Sequence, residues 1–276
     1  MSHPALGQGC TAIITGAGSG IGLATAIRFA QMGLNVCLAD ISTSGFGAAY
    51  DKVVSAAPGG MDSVMAVPTD VADWADLETL STKVRNVFGD LHVLMNNAVT
   101  RVGGGVFDSD DDWRHAMDVN FWGVVHGVQA FVPDMIKHGQ PALVINTGSK
   151  QGITNPPGNA AYNVTKAALK FYSESLQHEL RNTQDCKVSA HLLIPGWTTT
   201  AGREHVEGAW LPDQVVDCLL DGLRSNDFYI LCGDDEVSPE MDTTRIRWAA
   251  EDIVENRPPL SRWHPGYANA YKKFSE

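Results

Sequence analysis

The chain has 276 residues, of which 44% are hydrophobic and 19% charged, and its formal net charge is −12 at pH 7. A chain of this length buries a full core, and these proportions are typical of a soluble globular protein. Lys and Arg do not cluster in the sequence, which excludes nucleic acids and anionic membranes as partners because both bind through clustered cations.

Short apolar segments alternate with longer amphipathic ones up to residue 232. The apolar segments predict strands at residues 10–15, 35–39, 63–67, 91–95, 142–146, 187–194 and 228–232. The amphipathic segments predict helices near residues 20–32, 44–57, 73–88, 110–137, 160–184 and 212–225. Near-continuous apolar strands alternating with helices are typical of a parallel sheet covered on both faces. We therefore expect a doubly wound α/β fold of about seven strands, with residues 1–232 as one domain.

Residues 233–276 form a C-terminal extension of different composition, with one predicted helix near residues 240–255. The extension is rich in prolines and aromatic residues: Pro239, Pro258, Pro259, Pro265, Trp248, Trp263, Tyr267, Tyr271 and Phe274. Aromatic residues in a tail indicate a docking surface. We expect an arm of the same domain that docks on its own subunit or on a neighbour, and the sequence favours neither.

The termini and cysteines bear on the compartment. Residues 1–9 lack a basic segment followed by a long apolar one, and no apolar run reaches the ~18–20 residues of a membrane span, so neither a signal peptide nor a membrane segment is expected. The five cysteines include no Cys-x-x-Cys pair, which predicts reduced thiols and a cytoplasmic location. The nine histidines show no ligand spacing, so no metal site is expected.

A glycine-rich loop joins the first predicted strand to the first predicted helix. Gly16, Gly18, Gly20 and Gly22 alternate with small or apolar residues that include Ser19 and Ile21. Glycines allow a sharp turn and a close approach of the backbone to a pyrophosphate, whose charge is stabilised by the helix N-terminus. The strand before the loop and the helix after it predict a dinucleotide site.

Asp40 ends the second predicted strand, 24 residues after Gly16. A carboxylate at that place accepts hydrogen bonds from the adenosine ribose and repels a 2′-phosphate. Neither the following Ile41 nor Ser19 supplies a cation for such a phosphate. The sequence therefore predicts NAD as the cofactor rather than NADP; the alternative is an ordinary turn aspartate.

Tyr162 and Lys166 are four residues apart in a predicted helix, and Ser149 lies thirteen residues before Tyr162. Residues at that spacing share a helix face, and a nearby cation lowers the pKa of a phenol that otherwise titrates near ~10. The pattern predicts an acid/base pair, with Ser149 as a donor to the reacting oxygen. The alternative is a surface helix with an exposed Tyr and a solvated Lys.

Over roughly residues 8–232 the sequence resembles the short-chain dehydrogenase/reductase family. The resemblance rests on motifs in the family's order and spacing: the glycine loop, Asp40, Thr69-Asp-Val71, Asn96-Asn-Ala98, Asn120, Ser149, Tyr162 with Lys166, and Pro195-Gly196. It implies a Rossmann-type sheet and a catalytic tetrad of Asn120, Ser149, Tyr162 and Lys166. It also implies a cofactor site that comprises Gly16, Gly18, Ser19, Gly20, Ile21, Gly22, Asp40, Ile41, Asp70, Val71, Asn96, Ala98, Tyr162, Lys166, Pro195, Gly196, Thr198 and Thr200.

Three departures from the family pattern bear on the substrate. Val99 replaces the usual Gly, and Trp197 follows Pro195-Gly196. The segment of residues 201–211, which would form the lid, is shorter than is usual in the family. We expect a substrate pocket lined by Val99, Phe107, Gln151, Trp197 and Trp210, apolar and open to aromatic groups. Lys150 and Arg203 are interpreted as solvated charges, with a carboxylate-binding role as the alternative.

The sequence thus predicts an NAD-dependent oxidoreductase of an apolar or aromatic secondary alcohol or its ketone. The alternatives are a dehydrogenase of a bulky aryl-ether or steroid-type alcohol and, from another class, a non-catalytic NAD-sensing protein. The predicted helix 160–184 is apolar on two faces, the first with Val164 and Phe171 and the second with Leu169 and Leu180. A helix that packs only on a sheet needs one such face, so we expect a homodimer or homotetramer.

Overall fold

The computed structural model describes residues 3–41, 45–102, 104–199 and 204–276. Seven strands form one parallel sheet in the order β3-β2-β1-β4-β5-β6-β7. Their bounds are β1 Thr11–Thr15, β2 Asn35–Asp40, β3 Val64–Pro68, β4 Val93–Asn96, β5 Ala142–Thr147, β6 Val188–Ile194 and β7 Tyr229–Leu231. This is the predicted doubly wound Rossmann-type fold, and each strand lies within two residues of its predicted bounds.

Helices cover both faces of the sheet. Their bounds are α1 Gly20–Gln31, α2 Phe46–Ala56, α3 Trp74–Phe88, α4 Asp110–Met117, α5 Gly123–Lys137, α6 Gln151–Thr154, α7 Ala160–Asn182, α8 Pro212–Ser225, α9 Pro239–Val254 and α10 Ala268–Ser275. Residues of α1, α2 and α8 share one buried core, and residues of α3, α5 and α7 share the other. In β1, Ile14 faces the first core and Ile13 the second, as alternating strand side chains require. The strands are apolar on both sides because both faces are covered.

The predicted helix 110–137 is interrupted, which corrects the expectation of one continuous helix. A π-helical turn, Asp118–Trp122, separates α4 from α5 and contains the buried Asn120. Such turns insert an extra residue and occur often at functional sites. Apolar periodicity does not distinguish this turn from a regular helix, because its residues keep nearly the same spacing.

The C-terminal extension folds back on its own chain. In α9 Trp248 is 3% exposed, its ring meets Tyr271 and Phe274 edge to face, and its Nε1 donates to Ser261 Oγ at 2.7 Å. Helix α9 also packs against α6, directly after Ser149. The arm therefore has a small core of its own and contacts the short helix α6 that follows β5.

Among the residues that the structure describes, no helix is long and apolar enough to cross a membrane. Within the same ranges, no group of three or more His, Cys, Asp or Glu side chains is arranged to hold a metal ion.

The order of the strands determines where a ligand fits. Chain connections run outward in both directions from the β1–β4 pair, because β2 and β3 lie on one side and β5 to β7 on the other. At such a switch point a crevice opens beyond the carboxyl ends of the strands.

Candidate active site

A cavity of about 650 Å³ opens at this switch point, along the carboxyl ends of β1, β2, β4, β5 and β6. Most of the residues predicted for cofactor and catalysis line it: Gly16, Ser19, Gly20, Ile21, Asp40, Ile41, Asp70, Val71, Ala98, Ser149, Tyr162, Lys166, Pro195, Gly196 and Thr198. The volume is in the range of small-molecule and cofactor sites, which span roughly 300–1,000 Å³. Thr200 lies outside the described residues.

The glycine loop forms one wall, and its shape requires glycine at two positions. A Cβ on Gly22 would lie 2.3 Å from the carbonyl oxygen of Gly16, and one on Gly16 would lie 2.8 Å from Ala98 Cα. Gly16 and Gly20 also have left-handed backbone angles, with φ of 65° and 54°. Gly20 begins α1, so the loop directs the N-terminus of this helix at the cavity. The cradle has the shape and polarity of a pyrophosphate site.

Asp40, the last residue of β2, lines the cavity at the end predicted to hold the adenosine. Its Oδ2 accepts a hydrogen bond of 2.8 Å from the backbone N–H of Gly18. Gly18 itself is not a cavity-lining residue; it fixes the carboxylate against the loop, and a Cβ there would come within 2.9 Å of Asp40 Oδ2. Ile41 beside it is 67% exposed and apolar. The described part of this end thus presents a carboxylate and no cation.

The loops after β3 and β4 carry further residues that were predicted to contact the cofactor. Asp70 Oδ1 accepts from Ala72 N–H at 2.9 Å, which fixes the turn after β3, and Val71 packs against Gly123 of α5. Ala98 lines the cavity beyond β4, but Asn96 does not. Its side chain is buried, and its Nδ2 donates to Asn146 Oδ1 at 2.9 Å.

The phenol and the ammonium predicted from their spacing both face the cavity. Tyr162 is 8% exposed and Lys166 is 3% exposed, and Lys166 Nζ lies 5.8 Å from the centroid of the Tyr162 ring. Lys166 Nζ donates to the carbonyl oxygen of Thr147 at 2.7 Å, which anchors it to the end of β5. Ser149 follows on the loop after β5, where its Oγ accepts from Gln151 N–H at 3.2 Å. A helix and a strand end thus converge on one small region.

The electrostatics of this region favour the phenolate. Burial raises the pKa of Tyr162, but the charges of Lys166 and Arg101 and hydrogen bonds from Ser149 and Arg101 outweigh it, so the pKa lies below the ordinary 10. The pKa of Lys166 is also lowered. Burial is the main cause, Arg101 adds to the shift, and the neighbouring Tyr162 opposes it. The phenol is therefore prepared to give and take a proton closer to neutral pH than a free tyrosine.

Arg101 was not predicted from the sequence. Its Cζ lies 4.9 Å from the centroid of the Tyr162 ring, and its side chain lines the cavity. One signal was available, since Arg101 follows the Asn96-Asn-Ala98 motif closely, but an arginine in a loop is usually solvated. His115 and Asp118 also line the cavity and were likewise not predicted.

Asn120 is fully buried in the π-helical turn and does not itself line the cavity. Its Oδ1 accepts from Thr100 N–H at 2.8 Å, and its Nδ2 donates to Thr100 O at 3.0 Å and to Thr165 Oγ1 at 3.3 Å. The amide therefore joins the loop that carries Arg101 to the helix that carries Tyr162 and Lys166.

The predicted substrate contacts differ in their relation to the cavity. Val99 lines the cavity, whereas Phe107 is fully exposed and Gln151, Trp197 and Trp210 are not among the described lining residues. Trp210 packs against Gly233 and donates from Nε1 to Asp235 at 3.0 Å, which turns its ring toward the arm.

Lys150 differs from its interpretation as a solvated charge. Its side chain is 15% exposed and pairs with two buried carboxylates, those of Asp234 and Asp242. The pattern of the sequence did not reveal this, because both partners lie more than eighty residues away. Arg203 lies outside the described residues.

Comparisons with known proteins agree with this geometry. A family model described as short chain dehydrogenase matches residues 10–209. A 1-deoxy-11-beta-hydroxypentalenate dehydrogenase of Streptomyces avermitilis is 34% identical over 239 residues, which cover 83% of this chain and 86% of the relative.

Solved structures resemble the whole fold. A short-chain dehydrogenase/reductase from Burkholderia phymatum in complex with NAD superposes with a TM-score of 0.82 at 30% identity, covering 91% of this chain and 96% of the other. A metagenomic short-chain oxidoreductase in complex with NADP has a TM-score of 0.69 at 26% identity, covering 82% and 97%. These neighbours bind one or the other nicotinamide cofactor.

Proposed function

This chain belongs to the short-chain dehydrogenase/reductase family, and from that premise we propose that it is an NAD-dependent dehydrogenase that interconverts a secondary alcohol and its ketone. One observation carries the proposal: Tyr162, with a pKa held low beside Lys166 and Arg101, faces a cavity that also contains a glycine cradle and Ser149. At family level the chain is an oxidoreductase of the alcohol dehydrogenase type with a nicotinamide cofactor.

The choice of NAD over NADP rests on the adenosine end of the cavity. Asp40 is held by Gly18 N–H at 2.8 Å with its carboxylate at the cavity wall, where it would accept from ribose hydroxyls and repel a 2′-phosphate. Ile41 provides no charge to offset that repulsion. The glycine cradle fits the pyrophosphate of either cofactor and does not discriminate.

The chemistry assigned to the chain is the handling of one proton. When bound, the cofactor supplies the acceptor or donor of hydride. In the oxidative direction the Tyr162 phenolate takes the proton of the alcohol, while the Ser149 hydroxyl donates to the same oxygen and stabilises its developing charge. Lys166, anchored on Thr147 O, keeps the phenolate stable in a buried place. We assign Asn120 the task of holding the Arg101 loop against α7.

For the substrate we propose an apolar or aromatic secondary alcohol of small to medium size, which Val99 at the wall supports. A bulky aryl-ether or steroid-type alcohol is the alternative, and the Streptomyces relative, named a hydroxypentalenate dehydrogenase, supports an alcohol substrate without deciding between the two. Trp197, Trp210, Phe107 and Gln151 give no support to either, since they are not among the described residues that line the cavity.

We also propose that the chain forms a homodimer or homotetramer through α7. Leu169 and Leu180 of this helix are buried in the chain, whereas Val164 is 46% and Phe171 66% exposed on the other face. Trp122, at 46% exposure, extends the apolar surface from the neighbouring π-helical turn. Sedimentation of the native chain and of Phe171→Glu tests this: a dimer or larger that the substitution dissociates is expected, and a native monomer would contradict it.

The function is tested by a panel of secondary alcohols and ketones, each offered with NAD(H) and with NADP(H), followed by the absorbance of the reduced nicotinamide. We expect turnover of at least one apolar or aromatic secondary alcohol, with a higher kcat/KM for NAD than for NADP. Binding of NAD with no turnover of any panel member would favour the non-catalytic NAD-sensing alternative. The cytoplasmic location stays a prediction from the cysteines.

A further inference from the structure

A cluster of buried charges includes Lys150, which follows Ser149 on the loop after β5. Lys150 Nζ is 3.1 Å from Asp234 Oδ2 and 2.5 Å from Asp242 Oδ2. The exposed fractions of the three side chains are 15%, 3% and 6%. Arg262 of the arm is close enough to Asp242 to interact with it electrostatically, which adds a second positive charge. Charges buried to this degree need close partners, so the positions of their three backbone segments depend on one another.

Lys150 lies on the loop after β5, whereas Asp234 and Asp242 lie at two places in the C-terminal extension. Lys150 follows Ser149 in the chain and precedes α6, where its carbonyl accepts from Ile153 N–H at 3.1 Å. Asp234 lies beyond β7, and its Oδ2 also accepts from Trp197 N–H at 3.1 Å. Asp242 lies near the start of α9 in the C-terminal extension. The cluster therefore joins the Ser149 loop, the loop after β6 and the arm.

Gly196 separates this cluster from the cavity. It lines the cavity on one side, and on the other a Cβ built on it would lie 2.4 Å from Asp234 Oδ2 and 2.9 Å from Lys150 Nζ. The backbone at Gly196 thus rests directly on the ion pair. A shift of the carboxylate or of the ammonium would move the cavity wall with it.

Buried ion pairs usually contribute little net stability, because desolvation offsets most of their attraction, and in some proteins their role is instead to specify geometry. We propose that Lys150, Asp234 and Asp242 are positioning residues, through which the arm helix α9 holds Ser149 and Gly196 in place at the reacting end of the cleft. The role of the reacting end in this proposal rests on the proposed function. The linkage between α9 and the two loops does not depend on it.

Hydrogen exchange of the full chain tests the linkage without any cofactor. Asp242→Asn removes the charge at the arm, and we expect exchange of the backbone amides at residues 148–154 and 196–199 to rise by at least about tenfold. The matched control is Asp252→Asn, which breaks a similarly buried pair with Arg257 inside the arm but touches neither loop. Equal exchange in those segments for wild type and Asp242→Asn, or equal increases in both variants, would overturn the proposal.

Ligand affinity gives a readout that a merely structural role would not change. ADP-ribose lacks the nicotinamide, so the ratio of NADH to ADP-ribose affinity reports the reacting end alone. For Asp242→Asn we expect this ratio to fall at least about fivefold while ADP-ribose affinity stays within about twofold, and Asp242→Glu to restore the ratio. A parallel loss of both affinities would contradict positioning. If the wild-type chain binds neither ligand, the proposed function fails, and hydrogen exchange still decides the linkage.

Discussion

The two halves of the cleft are built in different ways. The dinucleotide half consists of backbone that is nearly continuous in sequence: the β1–α1 loop and the end of β2, with Gly22 against Gly16 O and Gly18 against Asp40. The reacting half is assembled from side chains of distant segments, of which Lys150 with its partner Asp242 is the extreme case. A backbone requirement leaves a pattern in the sequence, whereas a pairing of distant side chains such as Lys150 with Asp242 leaves almost none.

The largest effect is expected in the reacting half. Tyr162→Phe keeps the ring but removes the proton carrier, so kcat should fall by at least about 100-fold while NADH affinity changes by less than about twofold. Steady-state kinetics and fluorescence titration of NADH measure the two quantities. A near-native kcat in this variant would show that Tyr162 does not carry the proton, and would contradict the contrast drawn between the two halves.

The dinucleotide half should respond to added bulk with a loss of binding. In Gly22→Ala the new methyl would lie 2.3 Å from Gly16 O, so the loop must shift and NADH affinity should fall at least about tenfold. Gly47→Ala is the matched control, because Gly47 is exposed in α2 and a Cβ there meets nothing within 4 Å. Native affinity in Gly22→Ala would show that the cradle does not bind the dinucleotide as described.

Cofactor preference should respond to a single carboxylate. Asp40→Ala removes the predicted ribose acceptor and the repulsion of a 2′-phosphate, so the ratio of kcat/KM for NAD to that for NADP should fall by about tenfold. The ratio is measured with one alcohol at matched concentrations of both cofactors. A wild-type preference for NADP, or an unchanged ratio in the variant, would contradict the role given to Asp40.

The smallest effect is expected from the second cation beside the phenol. Arg101→Gln removes a charge and a hydrogen bond that lower the pKa of Tyr162, so that pKa should rise. Because oxidation requires the phenolate, the limb of the kcat profile that rises with pH should move to higher pH by up to about one unit. Arg101→Lys keeps the charge and should move it less; no displacement in Arg101→Gln would show that Lys166 alone sets the pKa.

Much of the fold could be predicted because its signals are local. Strands covered on both faces, such as β1 and β5, read as continuous apolar runs, so their positions were predicted within two residues. The π-helical turn at Asp118–Trp122 was not predicted, since its residues keep helix-like spacing and what sets it apart, the contacts of Asn120 with Thr100 and Thr165, is tertiary.

The candidate site was predictable in part for the same reason. Tyr162 and Lys166 are one helical turn apart and face the same cavity, so their spacing carried the information. Trp210 was predicted to line the pocket on its size and place in the chain, but its partners Gly233 and Asp235 turn it toward the arm. Arg101 resembles any loop arginine until the fold brings it beside Tyr162.

The central claim is that nearby cations keep the buried phenol of Tyr162 acidic, and a direct titration tests it. The ultraviolet difference between native chain and Tyr162→Phe, recorded against pH, isolates this phenol. Burial raises the pKa of Tyr172 and of Tyr229 to about 12, which separates their titration from it. The account predicts that the difference between the two titrations shows a tyrosine with a pKa below the ordinary 10; a Tyr162 that titrates at 10 or above would contradict it.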